Sequence, residues 1–273
     1  LSISGGNERS TYFTSATYFK QDGLILNTGA DRISFRYNAD HKVTDFIEFG
    51  NSVNIYSTSR FGGVGNPYLG AIRKNPISRP YQTDSNGNLL DPLQYDYVRS
   101  YTMEGGDVGP LIYANEYTDA TRSYGFVGNV FLKVKILKGL TFTPRLSIDY
   151  KTSAQSAFTP ELHIQGVETQ SINNVYKNQN YNFHWIADYM LNYERTFNSV
   201  HNLSALFVYS QEESKYEYLN GTRYGTPNNQ IQYLNAGQLE NRSVYNGFED
   251  WAFVSYIGRL GYNYNEKYFI QGS

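Results

Sequence analysis

The sequence predicts an all-β protein of antiparallel, up-and-down architecture, on three observations. The first is LTFTPRLSIDYK, residues 140–151, whose side chains sort by parity into Leu140, Phe142, Pro144, Leu146, Ile148 and Tyr150 against Thr141, Thr143, Arg145, Ser147, Asp149 and Lys151. Strand side chains alternate between the two faces of a sheet, so period two sustained over this length is a long half-apolar strand. The second is that the connections between such segments alternate between short and long. The third is an aromatic bias of 27 Tyr and 16 Phe against two Trp and two Met, because aromatic rings favour strands and membrane interfaces over helices. What the apolar face touches, a second sheet or lipid, is not decided by alternation.

Taken in order, segments near 1–6 and 11–21 open the chain with alternating patterns. Around 30–40, Asp31, Ile33, Phe35, Tyr37 and Ala39 oppose Arg32, Ser34, Arg36 and Asn38. From 43 to 56, Val43, Ile47, Phe49, Val53 and Ile55 share a parity interrupted by Asp45 and Asn51. Tyr124, Phe126, Val130, Leu132, Val134 and Ile136 form the next row, and the 140–151 stretch follows. Tyr181, Phe183, Trp185, Ala187, Tyr189, Leu191 and Tyr193 lie opposite Asn182, His184, Asp188, Asn192 and Glu194. Segments near 202–211, 250–264 and 267–273 bring the total to about ten strands, and no segment has a helical period. Pro144 cannot donate to a ladder, which predicts a local bulge.

The connections NERS, DHK, LKG, FNSV and NEK are short, whereas QDGLILNTGA is medium and 57–122, 153–180 and 212–249 are long. In an up-and-down sheet every second connection lies at the same end, so all the long loops share one end. Bacterial outer-membrane barrels have this asymmetry, and a soluble sandwich has no reason for it. Several segments also exceed the ~5–6 residues of an average strand and reach a length that crosses a bilayer at a tilt.

A formal charge of −2 and a pI near 6.1 provide no basic field for a phosphate backbone, so nucleic acid is not an expected partner. The chain has no cysteine, which removes disulfides and thiolate chemistry. No apolar run approaches the ~18 residues of a spanning helix, and with a mean hydropathy of −0.54 a helical membrane protein is excluded while a barrel is not. LSISGG at the start and KYFIQGS at the end read as strands already under way, and the chain is expected to be an internal piece of a longer protein.

Three passages resemble the SusC/RagA-like branch of TonB-dependent outer-membrane transporters. SISGGNERSTYFTSATYFKQDGLI, with Gly5, Gly6, Tyr12, Ser15, Tyr18 and Gly23, is similar to that family's early barrel pattern. NPISRP, from Asn75 to Pro80, is similar to its proline-containing loop. EDWAFVSYIGRLGYNYNEKYFIQGS matches its run through Ser255, Gly258, Arg259, Leu260, Tyr262, Tyr264 and Tyr268. With the loop asymmetry, the resemblance answers the question in favour of lipid. It implies that residues 1–273 belong to a single transmembrane β-barrel domain of twenty-two strands with a plugged lumen, the plug and the remaining strands lying outside this sequence. It further implies import of an oligosaccharide or peptide across a Gram-negative outer membrane, contact with outer-membrane lipid, coupling to TonB and a SusD-like surface lipoprotein as partner. No cofactor is implied. A passive porin-like channel or an adhesin barrel is the alternative.

Enzymatic chemistry finds no support in the residues. His41, His163, His184 and His201 lack the i, i+4 or carboxylate spacing of a metal site, and Glu212-Glu213 and Glu249-Asp250 read as solvated strand ends rather than an acid/base pair. GGVGNPYLG, 62–70, lacks phosphate-loop spacing and reads as a loop. DSNGNLLD, 84–91, places its glycine too early for an EF-hand, and Asn86-Gly87 reads as a tight turn. Arg145, Asp149 and Lys151 are expected to line the lumen, meeting water, one another and the plug. Tyr113, Tyr117, Tyr224 and Tyr233 lie in the long connections, where flat rings beside amides suit a sugar or peptide, and are the candidate ligand-binding residues.

Overall fold

A computed structural model of the chain describes residues 1–63, 116–164, 167–170, 172–240 and 242–273, together with Tyr68, Ala71, Ile72, Asn86 and Ala114. Ten strands form one sheet: β1 (Ser2–Gly6), β2 (Ser10–Asp22), β3 (Gly29–Lys42), β4 (Ile47–Gly62), β5 (Thr118–Leu137), β6 (Leu140–Thr159), β9 (Asn174–Phe197), β10 (His201–Tyr224), β11 (Arg242–Tyr264) and β12 (Tyr268–Gly272). Two short strands, β7 (Leu162–Ile164) and β8 (Val167–Gln170), pair with each other between β6 and β9. Sheet order follows chain order, every neighbouring pair is antiparallel, and the sheet is open with β1 and β12 at its edges.

The short connections all lie at one end and each has a local cause. Asn198 and Ser199 have φ of 47° and 61°, and Asn265 and Glu266 have 48° and 55°. Two successive positive φ values make the hairpin turn whose twist matches the flanking strands. Gly139 turns β5 into β6 at φ 86°, a conformation in which a Cβ is strained. DHK is not itself a turn: Asp40, His41 and Lys42 stay in β3, and the chain reverses over 43–46, where the Thr44 hydroxyl accepts the Phe46 and Ile47 N–H groups.

At the opposite end the strands run further than alternation predicts. The connections shrink to 63–117, 160–173 and 225–241, because past the apolar rows the residues are polar on both faces and alternation fades while the ladder continues. Ser153, Ala154 and Gln155 still pair with Asn180, Gln179 and Asn178. Backbone pairing needs no apolar face.

Pro144 corrects the expected bulge. Phe131 pairs with Arg145 and Val134 with Phe142, one register on both sides of the proline, and the register shifts only between Lys135 and Leu137, beside the turn. The missing donor instead interrupts the ladder to β5 between those pairs, while Pro144 stays opposite Tyr189 on β9.

The register assembles one apolar face, on which Ile55 meets Phe126, Phe126 meets Tyr150, Ile148 meets Trp185 and Leu191 meets Phe207. Its side chains have no protein cover: Ile33 is 60% exposed, Leu146 42%, Phe207 48% and Tyr256 71%. The few fully buried side chains among the described residues, Val175, Asn173 and Pro160, sit at the long-loop end.

This apolar band crosses the strands obliquely. On β3 it spans Ile33–Ala39, centred at Arg36, and the register row through Arg36 runs by Asn54, Val127, Asp149 and His184 to Ser214. On β10 the apolar stretch is Leu203–Tyr209, centred at Leu206, eight residues nearer the short turn than Ser214. The net offset between β3 and β10 is therefore ~27 Å along the strands over ~24 Å across them, and it arises at the two outer steps, β3 to β4 and β9 to β10, while the stretches of β4, β5, β6 and β9 centre on one level row, Asn51–Val130–Leu146–Ala187.

Candidate functional site

The face opposite the band is polar and internally paired. On three adjacent strands, Arg145 donates from Nε (3.0 Å) and Nη2 (2.7 Å) to Asp188 Oδ2, and the Ser210 hydroxyl donates to Asp188 Oδ1 at 2.7 Å. The β6–β9–β10 register sets this up, since Arg145 pairs with Asp188 and Asp188 with Ser210. Asp188 is 7% exposed, so its oxygens are satisfied by these bonds rather than by water. Nearby, His184 Nε2 lies 2.7 Å from Glu212 Oε1, and its ring centroid is 5.7 Å from that of Trp251.

A second cluster sits toward β3. The Arg32 guanidinium lies 4.5 Å over the Tyr56 ring, a cation–π arrangement. Tyr56 in turn reaches across Gly125, where a Cβ would come within 2.2 Å of the ring. A glycine inside a strand is a sign of such close approach, and this one marks a lining aromatic that alternation alone did not single out.

Glu212 and Glu213 are not strand ends. They stand mid-β10 on opposite faces, Glu212 with His184, and Glu213 with Lys215 (2.7 Å) and the Trp185 indole N–H (3.2 Å). Glu249 and Asp250 are likewise inside β11. Among the described residues no group of three or more His, Cys, Asp or Glu side chains is placed to hold a metal ion.

The long-loop end is held by two asparagines. Asn173 accepts the Thr226 N–H at Oδ1 (2.7 Å) and donates from Nδ2 to the Thr226 carbonyl (3.2 Å). Asn229 does the same to Glu161, accepting its N–H at 2.9 Å and donating to its carbonyl at 2.9 Å. Each amide imitates a strand partner, and together they lock the β6–β9 connection to the β10–β11 connection. Arg223 adds bonds to the Leu234 and Gly237 carbonyls. Just below, Lys177 donates to the Ser156 hydroxyl, and burial pushes its pKa below the ordinary lysine value.

Of the candidate tyrosines, Tyr233 caps the 3₁₀ turn Leu234–Ala236 and is 69% exposed. Tyr224 is not a loop residue: it ends β10, opposite Asn174. Tyr117 immediately precedes β5 and is half-buried. The fold thus places Tyr224 and Tyr233 on or beside one connection and Tyr117 on another. Tyr113, NPISRP, most of GGVGNPYLG and nearly all of DSNGNLLD lie outside the described residues. The asparagine locks escaped sequence reasoning because their partners are backbone groups 53 and 68 residues away.

An open antiparallel wall with one bare apolar band, one ion-paired polar face, tight turns at one end and structured loops at the other is the architecture of an outer-membrane barrel. Known proteins carry the same reading. No protein-family model matches the chain, but it is 25% identical over its whole length to TonB-dependent receptor P39 of Formosa agariphila, and 25% identical over 99% of its length to TonB-dependent receptor P26 of the same organism. It spans about a quarter of these curated relatives, 25% and 26% of their lengths. The fold matches the RagAB peptide importer in its closed-closed state and the RagAB peptide transporter, each with a TM-score of 0.82 over 99% of this chain and 30% of that one, at 18% and 19% identity. The likeness therefore runs along the whole chain, to TonB-dependent receptors in sequence and to RagAB in fold.

Proposed function

We propose that this chain is part of the wall of a TonB-dependent transporter that imports an oligosaccharide or a peptide across a Gram-negative outer membrane. The observation that carries the membrane reading is the oblique apolar band. A bilayer is a flat slab, and strands of a transmembrane barrel cross it tilted by about 45°, so the lipid-facing stretch is displaced along the strands across the wall, and the net offset between β3 and β10 has the size this tilt requires. A soluble sheet packing on a partner has no reason for such a drift.

In this reading residues 1–273 belong to one barrel domain, and the plug, the TonB-binding segment and the remaining strands lie elsewhere in the protein. The polar face lines the lumen, where the Arg145–Asp188 ion pair balances charge and His184 hydrogen-bonds to Glu212 along the wall. The long-loop end faces outward, and Tyr224 and Tyr233, set on a connection braced by Asn173 and Asn229, offer rings to the ligand. A SusD-like lipoprotein would close over this end, and TonB would act on the plug. Import needs no covalent step. The description of RagAB as a peptide importer supports the peptide arm, and amide-rich loops with tyrosine rings suit sugars as well.

The test is accumulation of labelled oligosaccharide or peptide by cells carrying the complete protein, with and without TonB. Uptake should stop without TonB or after collapse of the proton gradient, while surface binding persists. Equal accumulation with and without TonB would favour the porin-like channel, and binding without any accumulation would favour an adhesin.

A further inference from the structure

A groove of about 490 Å³ lies between β6, β9, β10 and β11. Most of its lining, including Tyr150, Thr152, Gln179, Tyr181, Glu217 and Phe248, has the parity of the apolar band rather than of the ion-paired face. It therefore opens on the outside of the wall, where a solute in the lumen cannot reach it. Tyr150 is the last apolar residue of the β6 stretch and Tyr181 of the β9 stretch, so the groove begins where the band ends, on the long-loop side.

Its chemistry differs from the band below it. Three rings, Tyr150, Tyr181 and Phe248, stand beside an amide (Gln179), a hydroxyl (Thr152) and a carboxylate (Glu217). Flat rings beside hydrogen-bonding groups match the apolar faces and hydroxyl edges of sugars, and the volume falls within the roughly 300–1,000 Å³ of small-ligand sites. Charge on this face also starts here: Glu213 and Lys215 pair at 2.7 Å, and Lys215 stands opposite Asp250. Acyl chains do not tolerate such groups, whereas a headgroup layer does.

We infer that this groove is a lipid site, which holds the sugar headgroup of a glycolipid in the outer leaflet while the acyl chains run down the adjoining apolar band. The inference rests on the membrane reading above and adds to it a specific contact on the outer wall. A free sugar would lack the second half of the site, because the band continues directly from the lower lip of the groove.

The complete protein, extracted from outer membranes in mild detergent, is examined by native mass spectrometry for bound lipopolysaccharide. In the Gln179→Ala/Tyr181→Ala/Phe248→Ala variant, occupancy should fall about tenfold, equivalent to ~1.4 kcal/mol. Tyr216→Ala, on the polar face of β10, should leave it unchanged. Should the triple variant assemble poorly, Glu217→Gln and Thr152→Val test the polar lining without removing a ring, and each should lower occupancy. Unchanged occupancy in all three groove variants would overturn the lipid site while leaving the membrane reading intact, as would equal binding of the lipid-free core oligosaccharide. Wild-type protein missing from outer-membrane fractions would overturn both.

Discussion

Replacing Leu146 with arginine tests the orientation of the wall most directly. Leu146 is the midpoint of the β6 apolar stretch Phe142–Tyr150, lies between Val130 and Ala187 on the neighbouring strands, and is 42% exposed on the bare face. Four residues separate it from either margin, ~14 Å along the strand and, at a 45° tilt, ~10 Å in depth. That places it near the bilayer midplane, where an arginine on the lipid face of a barrel costs ~2–4 kcal/mol, against ~0–1 at the interface. Leu146→Arg should therefore reduce the folded-to-unfolded ratio of the complete protein by about 30- to 900-fold, measured by reversible denaturant titration in lipid vesicles. Tyr150→Arg, at the margin, should cost under ~1 kcal/mol, and Ser147→Leu, between Arg145 and Asp149 on the other face, should be mild. A neutral Leu146→Arg beside a severe Ser147→Leu would mean that inside and outside are reversed, and equal costs at Leu146 and Tyr150 would remove the depth gradient on which the lipid reading depends.

An epitope inserted after Gln230, in the β10–β11 connection, should be labelled on intact cells, whereas one at Lys138, in the β5–β6 turn, should be labelled only after permeabilisation; the converse pattern would invert the topology. Arg145→Met should destabilise the complete protein by ~1–2 kcal/mol in the same titration, because it strands the Asp188 carboxylate, and less than the ~3–5 of a wholly buried pair because the Arg145 side chain is 44% exposed; Arg145→Met/Asp188→Leu should recover much of the loss. Asn173→Ala should leave the Thr226 N–H and C=O without their side-chain partner at a local cost of ~1–3 kcal/mol, read as faster amide exchange at Thr226 and quicker proteolysis within 225–241, while the exchange of β9 and β10 near Leu191 and Phe207 stays unchanged.

Face assignment was legible wherever one face is apolar, and fails where both are polar. Trp185, Tyr189 and Leu191 declare their side without any structure, and so do Phe142, Leu146 and Ile148. Asn178, Gln179 and Asn180 declare nothing, which is why β9 and β10 each extend well past the segments that alternation picks out. Tyr224 reads as a loop residue for that reason: it follows the polar run of β10, where sequence offers no cue that the ladder persists to Asn174. The absence of a bulge at Pro144 has a different origin. A central strand with a proline violates a general preference, and what accommodates Pro144 is a short gap in one ladder, a tertiary detail with no local trace.

Pairing register is the part of the fold that carries the most functional weight here and the part least accessible to sequence. A slip by one residue turns a strand inside out and alternation forbids it, but a slip by two preserves every face. The alternating rows of β3 and β10 are thus compatible with many relative heights, from a level band to a steep one. Only the chain of pairs from Arg36 to Ser214 selects among them, and it sets the stretches of β3 and β10 eight residues apart, the net offset that a tilted barrel needs over this width to keep its apolar stretch inside a flat bilayer. The same offset lifts Glu213, Lys215 and Glu217 above the band although Ile33, in the same row as Glu217, lies within it. On the proposed membrane reading, charges on the lipid-facing parity of β10 are therefore no defect in the wall; they mark where β10 leaves the hydrocarbon, and the groove beside them lies at that boundary.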